Sequence, residues 1–165
     1  MVQVRVATLA VDSASRPVVL LKPFEEPAGE GTLLPIWIGL AEATAILVAL
    51  DATETPPRPL VYDLILRLLQ AGDTRVERVD VTKIEEGTFF AEITLQTSGG
   101  TRLIDARPSD SIALAMRVGA PIFVADEVLA QAGIADTIEH APDEKDQLQA
   151  FHDFLDQVDP EDFRG

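Results

Sequence analysis

Hydrophobic and polar residues alternate from the start of the chain, with Val2, Val4 and Val6 on one face of an extended segment. The runs "PVVLL" (Pro17–Leu21) and "LLPIWIG" (Leu33–Gly39) continue the strand pattern, separated by the Pro- and Gly-rich loop "KPFEEPAGEGT". "LAEATAILVAL" (Leu40–Leu50) then predicts a buried helix whose only polar residues are Glu42 and Thr44, broken by "DATETPP". In "RPLVYDLILRLLQAGD" the spacing of Leu60, Leu64 and Leu68 predicts a helix with an apolar stripe. Pro59 is suited to its first position and Gly72 to its C-terminal cap.

"RVERVDVTKI", "GTFFAEITLQ" and "TRLIDA" read as three antiparallel strands turning at "EEG" and "SGG", with Phe89, Ala91, Ile93 and Leu95 on one face. A helix beginning in "RPSDSIALAMRV" ends at Gly119, followed by a strand at "PIFV" (Pro121–Val124) and a short helix at "DEVLAQAG". The expected fold is α+β: a single compact domain over residues 1–135, its mixed, largely antiparallel sheet packed by helices. Each half runs from strands into an Ala-rich helix, and "GLAEATAILVAL" matches "RPSDSIALAMRV" when Glu42 is set beside Asp110, which hints at an internal duplication.

Residues 136–165 form an acidic extension in which Leu148, Phe151, Phe154, Leu155 and Val158 fall at helical spacing, predicting an amphipathic helix on a tether. Ten of the chain's acids lie there against Lys145 and Arg164, so this segment carries about half of the net charge of -15. Nucleic-acid binders show the opposite balance, because backbone affinity comes from basic groups. The absence of cysteine excludes disulfides, thiolate nucleophiles and Cys-based zinc sites and suits a reducing cytoplasm. No stretch approaches the ~20 apolar residues of a membrane span, and the N-terminus lacks a leader pattern, so a soluble cytoplasmic protein is expected.

"DARPSDSIALAMR" (Asp105–Arg117) concentrates the polar chemistry. Pro108 suits a helix start, and Ser109 or Asp110 can cap it. Capping needs neither Asp105 nor Arg107. A guanidinium beside a helix N-terminus can hold a phosphate or carboxylate, or it can serve as a structural ion pair with Asp105, Asp110 or Asp63. "RPLVYD" is a second such start, with Arg58, Tyr62 and Asp63. Were the two to converge, with Glu42 alongside, the carboxylates could clamp a divalent metal. Trp37, in an apolar strand, is expected in the core, and His152 has no companion at ligand spacing. No Walker, GxGxxG, GxSxG or HExxH motif occurs.

Taken in order, "LPIWIGLAEATAI", "RPLVYDLI", "EEGTFFAEI" and "DARPSDSIALAMRVGAPIFV" resemble the bifunctional nuclease domain family over residues 2 to 135. The ending "FLDQVDPEDF" (Phe154–Phe163) is similar to an acidic extension found in bacterial, actinobacterial-type members. The resemblance implies a homo-oligomer (a dimer or trimer) and nuclease action on DNA and RNA. It carries over Glu42, Arg58, Pro59, Asp63, Asp105, Arg107, Pro108, Ser109 and Asp110. Asp63, Asp105, Arg107 and Asp110 are the expected catalytic residues, and Arg58, Arg107 and Ser109 the expected substrate contacts. Glu42, Asp63, Asp105 and Asp110 are the expected ligands of a divalent metal, Mg or Mn. Many members have His where this chain has Tyr62; if that His were the general base, a carboxylate or metal-bound hydroxide would have to serve here. The rival reading is a non-catalytic regulatory or scaffold oligomer that binds a small anion, or a protein partner through the acidic tail.

Overall fold

The alternation of the first half becomes three antiparallel strands: β1 (Val2–Val11) pairs with β2 (Pro17–Pro23), and β2 with β3 (Thr32–Trp37). The computed structural model describes residues 1–51, 56–136, 149, 151–153 and 156. Helix α1 (Leu40–Leu50) follows the first three strands and α2 (Val61–Ala71) comes next. The second half repeats the order, with β4 (Arg75–Glu85), β5 (Thr88–Thr97), β6 (Gly100–Ala106) and then α3 (Pro108–Val118). The turn between β4 and β5 puts Glu86 at φ 50 and Gly87 at φ 79, the positive pair of a tight hairpin.

Strand β7 (Ile122–Val124) runs parallel to β4 and antiparallel to β1, joining the two halves. Helix α4 (Asp126–Ala132) and β8 (Ile134–Ala135), which pairs with β3, complete the mixed sheet in the order β6-β5-β4-β7-β1-β2-β3-β8. The expected α+β fold is thus present, and each half runs from three antiparallel strands into a helix. Helices α1 and α3 pack on each other, α1 over β2 and α3 over β4 and β5. Ala43, Ala45, Ala113 and Ala115 are buried there, and their small side chains allow the helix backbones to approach closely. Ile46 and Ile112 fill the space against the sheet; truncating either to Ala would cost ~2–5 kcal/mol.

Several expectations need correction. Leu64 and Leu68 of α2 are exposed, while Tyr62 is its buried residue and Ile65, Leu66 and Leu69 are partly buried against the core. Apolar residues lie around most of this helix, so leucine spacing alone does not choose the buried face. Pro59 lies before the cap residue Leu60, whose N–H donates to Asp63 Oδ2 at 2.8 Å. Trp37 is 52% exposed at the end of β3, where its indole N–H donates to Asp12 Oδ2 at 3.0 Å and Arg16 lies over the ring. That partner lets the ring leave the core. Neither Ser109 nor Asp110 caps α3; Arg107 is the cap residue and no side chain bonds the free N–H groups.

Few residues beyond the expected boundary at 136 are described. Asp136 is buried, and its carboxylate accepts from Lys22 at 2.7 Å and from the Gly29 N–H at 3.1 Å. Phe151 belongs to the main hydrophobic core at 1% exposure, whereas Gln149, Asp153 and Asp156 are exposed. The other residues of the expected tail helix, Leu148, Phe154, Leu155 and Val158, lie outside the described residues, as does "DPEDF". Among the described residues no helix is long and apolar enough to cross a membrane.

Candidate functional site

Helix packing explains why two distant acids meet. Glu42 and Asp110 each occupy the first turn of their helix, and the close packing of α1 on α3 brings those turns together. Arg107, just before α3, lies between them. Its Nε donates to Asp110 Oδ2 at 2.7 Å, and its Nη2 donates to Asp110 Oδ1 at 3.0 Å and to Glu42 Oε1 at 2.6 Å. Tyr62, from the first turn of α2, donates through its hydroxyl to Asp110 Oδ1 at 2.7 Å. Gly39 leaves room for this arrangement, since a Cβ there would collide with the Glu42 carboxylate.

These four side chains form one wall of a cleft of about 740 Å³ whose remaining lining is largely apolar, including Leu60, Ile65, Ile93 and Leu114. The Arg107 side chain is 65% exposed, while Glu42 and Asp110 are mostly covered. Hydrogen bonding to Asp110, then to Glu42, raises the Arg107 pKa further above its ordinary value, so it stays a cation. Burial, followed by the hydrogen bond to Asp110, pushes the Tyr62 phenol well above its usual range. At neutral pH Tyr62 is therefore a donor that orients Asp110 and not a base. A polarised, partly exposed guanidinium at the mouth of an apolar cleft is suited to an anionic group attached to a flat or apolar one.

The other expected residues fall elsewhere. Asp63 spends Oδ2 on the Leu60 N–H and accepts from Arg117 Nε on Oδ1 at 3.0 Å. Arg58 lies with Asp63 in a second cleft on the α2 side. Ser109 is buried within α3. Asp105 stands opposite Glu92 on β5, and because Ala106 and Ile93 line the main cleft, alternation along the strand turns Asp105 to the other face of the sheet. The structure thus joins Glu42, Arg107 and Asp110 and does not bring Asp105 to them.

The donor set does not fit a metal as it stands. Among the described residues no three His, Cys, Asp or Glu side chains are placed to hold an ion. The place a cation would take between Glu42 and Asp110 is filled by the Arg107 guanidinium. Two participants were not singled out in the sequence. One is Tyr62 as the partner of Asp110. The other is Arg117, which connects Asp63 to the Tyr62 ring, its guanidinium carbon 5.3 Å from the ring centroid. Arg117 had a signal, for it follows Asp110 by two helical turns and shares its face.

A model of the bifunctional nuclease domain matches residues 19–137. An uncharacterized protein of Mycobacterium tuberculosis (strain H37Rv) is 40% identical over 171 residues, covering 99% of this chain and 98% of the relative. Bifunctional nuclease 1 of Arabidopsis thaliana is 33% identical over 116 residues, which cover 68% of this chain and 34% of the plant protein. Bifunctional nuclease 1 of Oryza sativa subsp. indica is 27% identical over 145 residues, covering 84% and 42%.

Proposed function

Because the chain belongs to the bifunctional nuclease domain family, we propose that it hydrolyses phosphodiester bonds of DNA and RNA at the cleft headed by Arg107. The supporting observation is the Arg107 guanidinium, partly exposed and fixed on both sides by Glu42 and Asp110. An incoming phosphate takes the exposed donors of Arg107, which neutralise its charge as the phosphorus becomes five-coordinate. Asp110 spends both oxygens on Tyr62 and Arg107, whereas Glu42 meets Arg107 through Oε1. Glu42 is therefore assigned as the base: it accepts a proton from water, the water oxygen bonds to phosphorus, and the P–O bond to the leaving sugar oxygen breaks. That oxygen takes its proton from solvent.

The test is cleavage of fluorescent single-stranded DNA and RNA by wild type, Glu42→Gln, Arg107→Ala and Asp110→Asn, purified identically. Wild type should cut both, and each variant should lose about 100-fold or more while remaining folded. Equal cleavage by all four proteins would assign the activity to a contaminant. Arms with Mg, Mn and chelator belong in the same assay. A divalent metal held by Glu42 and Asp110 would have to displace Arg107, so any metal response should vanish in Asp110→Asn.

A second reading is favoured by one observation, the exposed apolar face formed by Val61, Leu64 and Leu68 on α2. It makes the chain a non-catalytic scaffold, assembling as a dimer or trimer or binding a protein partner there. Leu64→Lys with Leu68→Lys then changes the sedimentation coefficient, and no variant of the Arg107 cluster affects any cleavage.

A further inference from the structure

On the opposite side of the α2 start from the Arg107 cleft lies a second cleft of about 480 Å³, between the end of α1 and α2. Arg58, Arg67 and Arg117 line it, together with Asp51 and Asp63. The chain has 28 acids against 13 lysines and arginines, so three arginines in one cleft run against its composition. Six of the eleven lysines and arginines among the described residues, Arg16, Lys22, Arg78, Lys83, Arg107 and Arg117, pair with carboxylates. Arg58 and Arg67 form no ion pair among the described residues, and both are exposed.

The third arginine supplies an independent observation. Arg117 is 8% exposed; its Nε donates to Asp63 and its Nη1 to the Ala113 carbonyl at 2.9 Å. Its Nη2 is buried without a hydrogen-bond partner among the described residues. An unpartnered buried donor carries a desolvation penalty that an acceptor in the cleft would relieve. Arg offers planar, forked donors that match phosphate oxygens, and two exposed forks beside a buried third make a tetrahedral anion the fitting ligand.

We propose that the cleft lined by Arg58, Arg67 and Arg117 is a phosphate-binding site separate from the Arg107 cleft. Arg58 and Arg67 take the phosphate oxygens, while Arg117, pinned by Asp63 and lying over the Tyr62 ring, completes the cationic wall and connects the two clefts through the side chain that holds Asp110. The phosphate can belong to a nucleic-acid strand entering the Arg107 cleft or can be the free ion. Assigning it to a strand rests on the nuclease reading; the anion chemistry of the cleft does not.

The experiment measures binding of inorganic phosphate by calorimetry, and of a fluorescent ten-nucleotide single strand by anisotropy across a salt series. It uses the full chain as wild type, Arg58→Gln, Arg67→Gln and Arg102→Gln. Arg58 and Arg67 are exposed, so those variants keep the fold. The site predicts that Arg67→Gln weakens phosphate binding about tenfold, that Arg58→Gln acts alike, and that Arg102→Gln, which removes an equal charge from the exposed surface of β6 outside both clefts, leaves it unchanged. If a strand is the source, the same two variants weaken the oligonucleotide and flatten its salt dependence by about one phosphate contact each. Phosphate binding that depends on Arg67, with no oligonucleotide binding, keeps the site, assigns it to the free ion and counts against the nuclease reading. An oligonucleotide bound and cut equally by wild type, Arg58→Gln and Arg67→Gln, with no phosphate binding, overturns the site and leaves the nuclease reading intact.

Discussion

The hydroxyl of Tyr62 donates a 2.7 Å hydrogen bond to Oδ1 of Asp110, linking the first turn of α2 to the first turn of α3. Tyr62 is the chain's single tyrosine, so its ionisation can be followed directly by absorbance near 295 nm. Burial and the Asp110 bond favour the neutral phenol and raise its folded pKa above the ordinary 10.0. The contribution to stability is fully present below pH 10 and is lost as the pH rises above it, where the unfolded chain binds fewer protons than the native one. We expect no phenolate signal in the native protein at pH 10.5 and its abrupt appearance on unfolding. A smooth titration centred at the ordinary value in folded protein would show that Asp110 does not hold the phenol. Tyr62→Phe should lower cleavage on the order of tenfold by releasing one charge-assisted bond to Asp110, with little change in fold.

Gly39 tests the placement of Glu42 without touching a charged residue. Its backbone, at φ -75 and ψ 161, is open to alanine, so the substitution introduces no backbone strain. The added Cβ would nevertheless meet the Glu42 carboxylate and push it away from Arg107. Gly39→Ala should therefore reduce cleavage nearly as far as Glu42→Gln while the unfolding midpoint moves by less than ~1 kcal/mol equivalent. Full activity in Gly39→Ala would rule out the observed Glu42 position as the working one.

The strands and the start of α3 were visible in the sequence because they rest on local rules: period-two alternation in β1 and β5, a glycine in the turn at Glu86–Gly87, and a proline at the first position of α3. The pairing of Glu42 with Asp110 was foreshadowed by the likeness of the two Ala-rich helices, yet the distance between them depends on α1 packing against α3, which local pattern does not encode. Asp105 illustrates the opposite outcome. It sits two residues from Arg107 in the same motif, but a single step along a strand reverses the face, and the register of β6 on β5 decides which face that is. For α2, leucine on nearly every side left the buried stripe undetermined until tertiary contacts selected Tyr62. Trp37 reached the surface because Asp12 and Arg16, distant by 25 and 21 residues, gave its ring partners there.

Lys22 and Asp136 test whether the core extends past β8. The ammonium is buried with the Asp136 carboxylate at 2.7 Å and also donates to the Glu30 carbonyl. Removing one partner strands the other charge in a low-dielectric site. Lys22→Met or Asp136→Asn should each cost ~3–5 kcal/mol in urea unfolding, with added salt recovering little of it. A loss below ~1 kcal/mol would place this pair in solvent.

Phe151 tests how the C-terminal segment is attached. Its ring is 1% exposed and packed into the main core, while its helical neighbours Gln149 and Asp153 are exposed and bond each other, Gln149 Nε2 donating to Asp153 Oδ1 at 3.1 Å. His152, beside it and partly buried, approaches Asp51 at the end of α1 at 3.7 Å, beyond hydrogen-bond distance. Among the described residues of this segment, the attachment energy should then reside in the ring. Phe151→Ala is expected to cost ~3–5 kcal/mol, and Asp153→Ala under ~0.5 kcal/mol. A chain ending at Asp136 should lose at least as much as Phe151→Ala, because it removes the same ring from the core. If truncation and Phe151→Ala both leave the unfolding midpoint in place, the acidic extension contributes nothing to the fold. If truncation costs far more than Phe151→Ala, the segment holds the core through contacts beyond this one ring.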